Sequence, residues 1–384
     1  MRILFTFIGG VGHFHPLVPI ARAAQAAGHE VAVACAAGLV GPVESAGFAA
    51  MPTSEPRPVP ASTGSARDLT PLAPTDAGAA EIEFAENFAD KGARRHATAI
   101  QRWIREWQPD VVVRDEADLG SAIAAEVLGV PVASVVVLAA GMLIRPELVG
   151  PPLAAVRAEH SLPPDPDLAM LTRGLVLSPV PPSFPDPASP LPTTGLTHHF
   201  RTPVAPRVER LPGRQRVYAT LGTEFGTTSG DLYERMLTGL GTLDADVLLT
   251  VGSRIDPAEL GPAPPGVRVE RFVPQDEVLS SVDVVVSHGG SGSLLAALAH
   301  GLPSVLLPLG ADQPHNATRA EALGLATVLD AASATADDLA RAVGEALHDV
   351  EMKARAQAIA VETAALPDVT TTVTALEHLS RTEG

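Results

Sequence analysis

Short runs of branched apolar residues alternate with stretches of helical periodicity, and the alternation runs through the chain twice. In the first half, Ile3–Ile8 predicts a strand and Pro16–Ala27 a helix with proline in its first turn. His29–Ala34 predicts a second strand after Gly28, then Leu39–Ala46 a helix and Gly47–Met51 another short strand. Ala79–Trp107 reads as one long helical segment or two. A strand at Asp110–Val113, a helix at Asp118–Leu128 and a strand at Val130–Leu138 follow. The pattern restarts at Arg216 with strands at Arg216–Leu221, Ala245–Val251, Val267–Phe272, Val284–Val286 and Pro303–Leu307. Helices are expected at Asp231–Leu240 and Leu294–His300, then at about 312–322, 335–348, 350–364 and 367–381. Strands that are apolar throughout, rather than alternating with polar residues, suit parallel sheets buried on both faces. The fold class is therefore α/β, with βαβ domains in tandem and a ligand expected in a cleft at the carboxyl ends of both sheets.

Punctuation between the runs sets the expected boundaries. Residues 190–213 carry turn formers without periodicity and are read as the interdomain linker. This gives an N-terminal domain over 1–200, a C-terminal domain over 201–365, and a last helix over 366–384 packing back towards the first domain. Residues 52–78 hold six prolines among few large apolar side chains and predict a long loop that covers or shapes a binding site. Residues 144–195 are again Pro-rich and resist assignment.

Composition narrows the function classes. At 384 residues the chain can build two cores, and its net charge of −17 argues against nucleic acid and anionic membranes as partners. The single cysteine, Cys35, excludes an internal disulfide and a cysteine metal cage, and its place at the end of an apolar run marks it as a buried bystander. No signal peptide and no apolar segment of bilayer length is visible, so a cytoplasmic protein is expected. Two Asp-X-Asp triplets, Asp165–Asp167 and Asp244–Asp246, read as solvated turns, and no metal site is expected. His198 and His199 fall in the linker without obvious partners.

The candidate chemistry lies where strands end. The strand Val284–Val286 runs into Ser287-His288-Gly289-Gly290-Ser291-Gly292-Ser293 and then into a helix. Glycines there let backbone N–H groups approach a ligand, and the helix's first turn presents unpaired donors to an anion. His288 adds a side-chain donor, and the next strand outlet carries Asp312, Gln313 and Asn316, polar groups suited to sugar hydroxyls. A sugar nucleotide needs both kinds of partner, although a Gly-rich turn alone is common in folds of this class. Leu221-Gly222-Thr223-Glu224 ends another strand as a further phosphate contact. Phe272, Val273 and Gln275 can stack and hydrogen-bond a base, or Phe272 can simply be a core residue in a turn.

The first strand ends in Gly9-Gly10-Val11-Gly12-His13-Phe14-His15-Pro16. A histidine at such an outlet can act as a general base, and His13 is the better candidate because it follows Gly12 at the top of the turn. His15 is read as structural; it also occupies the sixth position of a dinucleotide fingerprint and so disfavours a dehydrogenase. A base histidine needs an orienting carboxylate, and Asp115 lies just past a strand, with Glu116 and Asp118 as neighbours that could replace it or merely cap a helix.

Taken together, these motifs resemble those of the GT-B glycosyltransferases of family 1, in the bacterial natural-product branch. The likeness rests on the Gly-His-X-X-Pro loop at 12–16, the carboxylate at 115, Leu-Gly-Thr at 221–223 and Val-Pro-Gln at 273–275. Most specific is the block from His288-Gly289-Gly290 through Gly301-Leu302-Pro303 to Asp312-Gln313. The resemblance implies two Rossmann-like domains and an inverting, metal-independent transfer from a nucleotide sugar. By position, His13 would be the base and Asp115 its partner. Gly222, Thr223, Phe272, Val273, Gln275, His288, Gly289, Gly290, Ser291, Gly292, Asp312 and Gln313 would bind the donor. A dTDP-deoxysugar and a small hydrophobic aglycone of polyketide or other aromatic type are the implied substrates, joined through oxygen or carbon, with no cofactor. A homodimer is compatible with this reading. The rival readings are a sugar-nucleotide epimerase of the same fold and a non-catalytic partner protein with a degenerate site.

Overall fold

A computed structural model of the protein describes residues 1–56, 67–188, 197–208, 213–222 and 225–382. The chain forms two compact units: Met1–Val59, Gly78–Pro203 and Leu366–Gly384 in the first, Pro60–Ala77 and Val204–Ala365 in the second.

Unit 1 is built on a seven-stranded sheet of β1 (Arg2–Thr6), β2 (Glu30–Cys35), β3 (Ala49–Pro52), β4 (Val111–Asp115), β5 (Val132–Val135), β6 (Leu175–Ser178) and β7 (Thr197–His199). The order is β3-β2-β1-β4-β5-β6-β7, and all pairs are parallel. Alternate residues of one strand serve opposite faces. Phe5, Val33 and Val113 pack with Phe14 and Ile20 on one side, while Leu4, Ala34 and Val112 pack with Ile100 and Ile104 on the other. Each valine, leucine, isoleucine or phenylalanine among them, sealed from water, stabilises the unit by about 1.5–3 kcal/mol. The C-terminal helix Thr371–Thr382 belongs to this unit, with Val373, Leu376 and Leu379 in the same cluster as Phe5.

Unit 2 repeats the plan with β8 (Gln215–Thr220), β9 (Ala245–Thr250), β10 (Val267–Glu270), β11 (Val284–Ser287), β12 (Ser304–Leu306) and β13 (Ala326–Val328). The order β10-β9-β8-β11-β12-β13 is again wholly parallel. Val217, Leu249 and Val286 face Tyr233, Met236 and Leu339, while Tyr218 and Val285 face Leu279 and Ala297.

Proline-rich composition hid real structure in three places. Within 144–195 a helix spans Pro146–Glu159, with Pro146 in its first turn and Pro151 and Pro152 inside it, and β6 follows. Strand β7 lies within the stretch read as linker and pairs in parallel with β6. The described part of the 52–78 loop is not simply open: Arg67 donates to both oxygens of Glu234, at 2.5 and 2.9 Å, and to the Gly230 carbonyl at 3.1 Å. Asp68 N–H adds a bond to the Thr227 carbonyl, so this segment packs as part of unit 2 instead of with the first 200 residues. Its residues 57–66 lie outside the described residues, as do 189–196 and 209–212 of the stretches discussed above.

Candidate active site

In both sheets the chain reverses its direction of winding beside the first strand, between β1 and β4 and between β8 and β11. Loops leaving two such strands part to opposite sides, and the gap at their carboxyl ends is where open α/β sheets hold ligands. His13 and Asp115 stand at this point of unit 1, Gly222 and His288 at that of unit 2.

His13 is carried by a one-turn helix, Val11–Phe14, that starts soon after β1. Its Nδ1 lies 3.1 Å from Asp115 Oδ2, and the carboxylate is sealed from solvent while the histidine side chain is 13 % exposed. A carboxylate only accepts, so Nδ1 carries the proton and Nε2 is left with the lone pair. Asp115 is held in turn by Ile8 N–H at 3.1 Å on Oδ2 and by Asp118 N–H at 2.6 Å on Oδ1. The ring of His13 stacks on Phe88, with centroids 5.7 Å apart, and Phe88 stacks on Phe84 at 4.9 Å. Phe84 closes the helix Ala77–Phe84, and Phe88 lies in a π-helical stretch, Ala85–Gly92, that runs on into α1 (Ala93–Trp107). His15 is exposed.

The neighbouring carboxylates have other work. Glu116 Oε1 accepts Val137 N–H at 2.9 Å and Leu138 N–H, tying β4 to the exit of β5. Burial pushes its carboxyl up to about 8, against the pull of those two N–H groups. Asp118 caps α2 (Leu119–Leu128) by accepting Ser121 N–H at 3.1 Å. Burial works against its ionised form, but His96 beside it and the Ser121 hydroxyl hold its carboxyl down to about 2. Arg114, buried beneath, donates to the carbonyls of Asp115, Glu116 and Leu171. Asp115 therefore pairs with His13, and neither Glu116 nor Asp118 replaces it.

In unit 2, His288 follows β11 and its ring lies between two glycines. A Cβ on Gly222 would stand 2.6 Å from the ring, and one on Gly290 2.6 Å from Nε2, distances no side chain tolerates. Gly222 also holds a φ of 73° and Gly289 one of 82°, which favour glycine without exception of neighbouring space. Nδ1 of His288 is buried without a hydrogen-bond partner, and burial lowers the imidazole to about 4. It is a neutral ring at working pH. Helix α3 (Ser291–Ala299) begins at Gly290, which supplies no side-chain cap to its first turn. Phe272 is 69 % exposed and so is no core residue, and Gln275, three positions on, has a buried Nε2 with no partner. Val273 lies between them and is partly buried.

The two expected sugar ligands, Asp312 and Gln313, each make hydrogen bonds within unit 2. Asp312 Oδ2 accepts from Ser291 Oγ at 2.7 Å and from Asn316 Nδ2 at 3.0 Å, and Asn316 also donates to the Gly289 carbonyl at 2.9 Å. These bonds fasten the start of α3 to α4 (Gln313–Ala322), so Asp312 and Ser291 shape the glycine turn. Gln313 Oε1 accepts Leu309 N–H at 2.7 Å and its residue is buried. Gly292 is exposed on the turn, and Thr223 lies outside the described residues. His198 and His199 do have partners, the Thr371 hydroxyl at 2.8 Å and the Val180 carbonyl at 3.1 Å. Cys35 is buried and its thiol is pushed up to about 11 by burial, which makes it inert. Sequence reasoning missed Phe88 and His96; the second was signalled only as a histidine on the apolar stripe Ala93, Ala97, Ile100 of α1.

No helix among the described residues is long and apolar enough to cross a membrane, and none of their His, Cys, Asp and Glu side chains group in threes as a metal would need. Residues 234–379 match the family model for the C-terminal domain of erythromycin biosynthesis protein CIII-like proteins. The chain is 31% identical to the L-demethylnoviosyl transferase of Streptomyces niveus, over 89% of this chain and 87% of that one. It is 27% identical to the tylactone mycaminosyltransferase of Streptomyces fradiae, over 99% and 92% of the two chains. Among solved structures, glycosyltransferase VinC in complex with dTDP superposes with a TM-score of 0.76 at 25% identity, over 99% of this chain and 100% of that one. Two parallel Rossmann-like sheets, a histidine at each switch point and likeness along nearly the whole chain lead to one conclusion: the protein belongs to the GT-B glycosyltransferases of antibiotic biosynthesis.

Proposed function

We propose that the protein is an inverting, metal-independent transferase that moves a deoxysugar from a dTDP-sugar to a small aromatic or polyketide aglycone. The observation that carries this reading is the 3.1 Å bond between His13 Nδ1 and Asp115, which leaves Nε2 basic. Nε2 takes the proton of the acceptor hydroxyl as its oxygen attacks the anomeric carbon. The bond from that carbon to the diphosphate breaks on the opposite face, and dTDP leaves with the electron pair. Asp115 stabilises the imidazolium that results. A phenol deprotonated by the same base could instead attack through a ring carbon, and the C-glycoside then forms as that carbon loses its proton and the oxygen regains one.

The leaving diphosphate gains charge as the bond breaks, and donors already fixed in place favour that state. The first turn of α3, the His288 ring and the backbone at Gly222 and Gly290 supply them. Such a set of neutral donors needs no cation, so turnover in excess EDTA should equal turnover without it. Phe272, exposed beside the unpartnered Gln275 amide, suits a stacked and hydrogen-bonded base. The relatives are named for mycaminose and demethylnoviose transfer, and the solved relative is described with dTDP; both support a dTDP-deoxysugar donor.

Calorimetric titration with dTDP, UDP and NAD tests the reading. Tight dTDP binding, weaker UDP binding and none of NAD are expected. Preference for UDP would redirect the donor and reopen the epimerase, and no binding of any nucleotide would overturn the assignment of residues 288–293.

A further inference from the structure

Behind the His13–Asp115 pair lies a second histidine–carboxylate pair, wholly buried. His96 Nδ1 is 3.1 Å from Asp118 Oδ2, and the side chains are 2 % and 0 % exposed. We propose that His96 is a positioning residue for the base, acting through Asp118 on Asp115; this rests on the reading of His13 as that base.

The connection is continuous in named bonds. Asp118 Oδ2 receives His96 Nδ1 and, at 2.6 Å, the Ser121 hydroxyl, while Oδ1 receives Ser121 N–H. With its side chain pinned on three sides, Asp118 presents its own N–H to Asp115 Oδ1 at 2.6 Å. Asp115 then offers Oδ2 to His13. Each acidic group accepts from the next layer out, which leaves Asp115 one orientation only. A buried polar chain of this kind holds firmly when every member is satisfied and loosens when one is removed.

Packing gives His96 a second grip on the same base. Helices α1 and α2 touch at Gly120, where a Cβ would come 2.5 Å from the Ala93 carbonyl and 2.7 Å from His96 Cβ. Only a residue without a side chain lets His96 reach Asp118. The helical run that carries His96 also carries Phe88, whose ring stacks on His13. His96 thus anchors that run where Phe88 and Asp118 both bear on the base. The far side of its ring faces the Thr53 hydroxyl, 3.4 Å from Nε2, at the outlet of β3. The charged and titratable groups gathered around Asp115 are His13, Arg114, Glu116, Asp118 and His96.

The experiment follows the His13 imidazole in the full-length protein by NMR of labelled histidine, its signal assigned by loss in His13→Ala. In His96→Leu the midpoint of the His13 titration should move to lower pH, because a less firmly held Asp115 stabilises the imidazolium less. His96→Asn keeps an N–H near the position of Nδ1 and should restore the wild-type midpoint. Ser121→Ala, which removes one donor and spares the packing, should move it the same way by less, and serves if His96→Leu does not fold. Turnover of a dTDP-6-deoxyhexose with 1,2-dihydroxyanthraquinone should fall about tenfold in His96→Leu, part of the ~100-fold that a 1 Å misplacement of a reacting group costs. Combined with His13→Ala, the same change should cost nothing further. An unmoved His13 titration in both His96→Leu and Ser121→Ala would overturn the positioning role and leave the base reading standing. Undiminished turnover in His13→Ala would overturn the base reading, and the proposal with it.

Discussion

Each unit places a histidine at the switch point of a parallel sheet, yet the two are held in opposite ways. His13 has a carboxylate on Nδ1, and that carboxylate is itself anchored by two backbone N–H groups. His288 has no acid: its Nδ1 is buried and unpartnered, and burial lowers the ring to about 4. Topology sets where a side chain can meet a ligand, but the partner on the inner nitrogen decides what the ring does there. A carboxylate favours the imidazolium and makes a proton acceptor; an apolar seat between two glycines forbids the charge and makes a neutral hydrogen-bonding group.

The largest expected effect removes the first of these. His13→Ala should lower turnover by at least ~100-fold while dTDP binding measured by calorimetry stays unchanged. Near-normal turnover would erase the contrast between the two rings. Next comes His288→Ala, for which dTDP affinity as well as turnover should drop, by about 1.5–3 kcal/mol in binding for the loss of a hydrogen bond to a charged group. An unchanged Kd would deprive His288 of its phosphate. Phe272→Ala should weaken dTDP by roughly 1 kcal/mol, the low end of stacking on one base, since the ring is open to solvent on this surface.

The last effect is on stability rather than activity and follows the sign of the His288 shift. Its folded value, about 4, lies below the ordinary 6.5, so the unfolded chain takes up the proton first. Stability from this group is complete above pH 6.5 and is lost as pH falls towards 4. Glu116 works in the opposite sense, because its raised value makes the folded chain hold a proton between the ordinary 4.5 and about 8. Comparing urea unfolding of wild type and His288→Gln isolates the histidine: the variant should gain on the wild type as pH is lowered through that window. A gap that stays constant would mean that His288 is not buried as a neutral ring.

Local pattern carried much of this. Strands at Arg2–Thr6 and Val284–Ser287 and the helix after Gly290 are written in neighbouring residues, because continuous apolar runs and glycine turns act over a few positions. Proline obscured β6, β7 and the helix Pro146–Glu159, since prolines inside the helix and in the segments flanking the two short strands make the whole stretch look like a loop when read alone. The Asp312 and Gln313 side chains were legible as polar groups at a strand outlet, but not Asp312 as a fastening of the glycine turn nor Gln313 as the acceptor of Leu309 N–H.

What the sequence determined by itself is therefore the supply of chemistry: a parallel α/β architecture, a histidine after β1, another after β11, and acids after β4. Which acid serves which histidine was decided only in three dimensions. His13 and Asp115 are 102 residues apart, and they meet because β1 and β4 are neighbours in the sheet. Glu116, one residue on, lies past the end of β4 and is taken up by the exit of β5, whose Val137 and Leu138 N–H groups it accepts. His96 joins them only because Gly120 lets α1 close on α2. Sequence order sets what each strand end offers, and strand order and packing set who receives it.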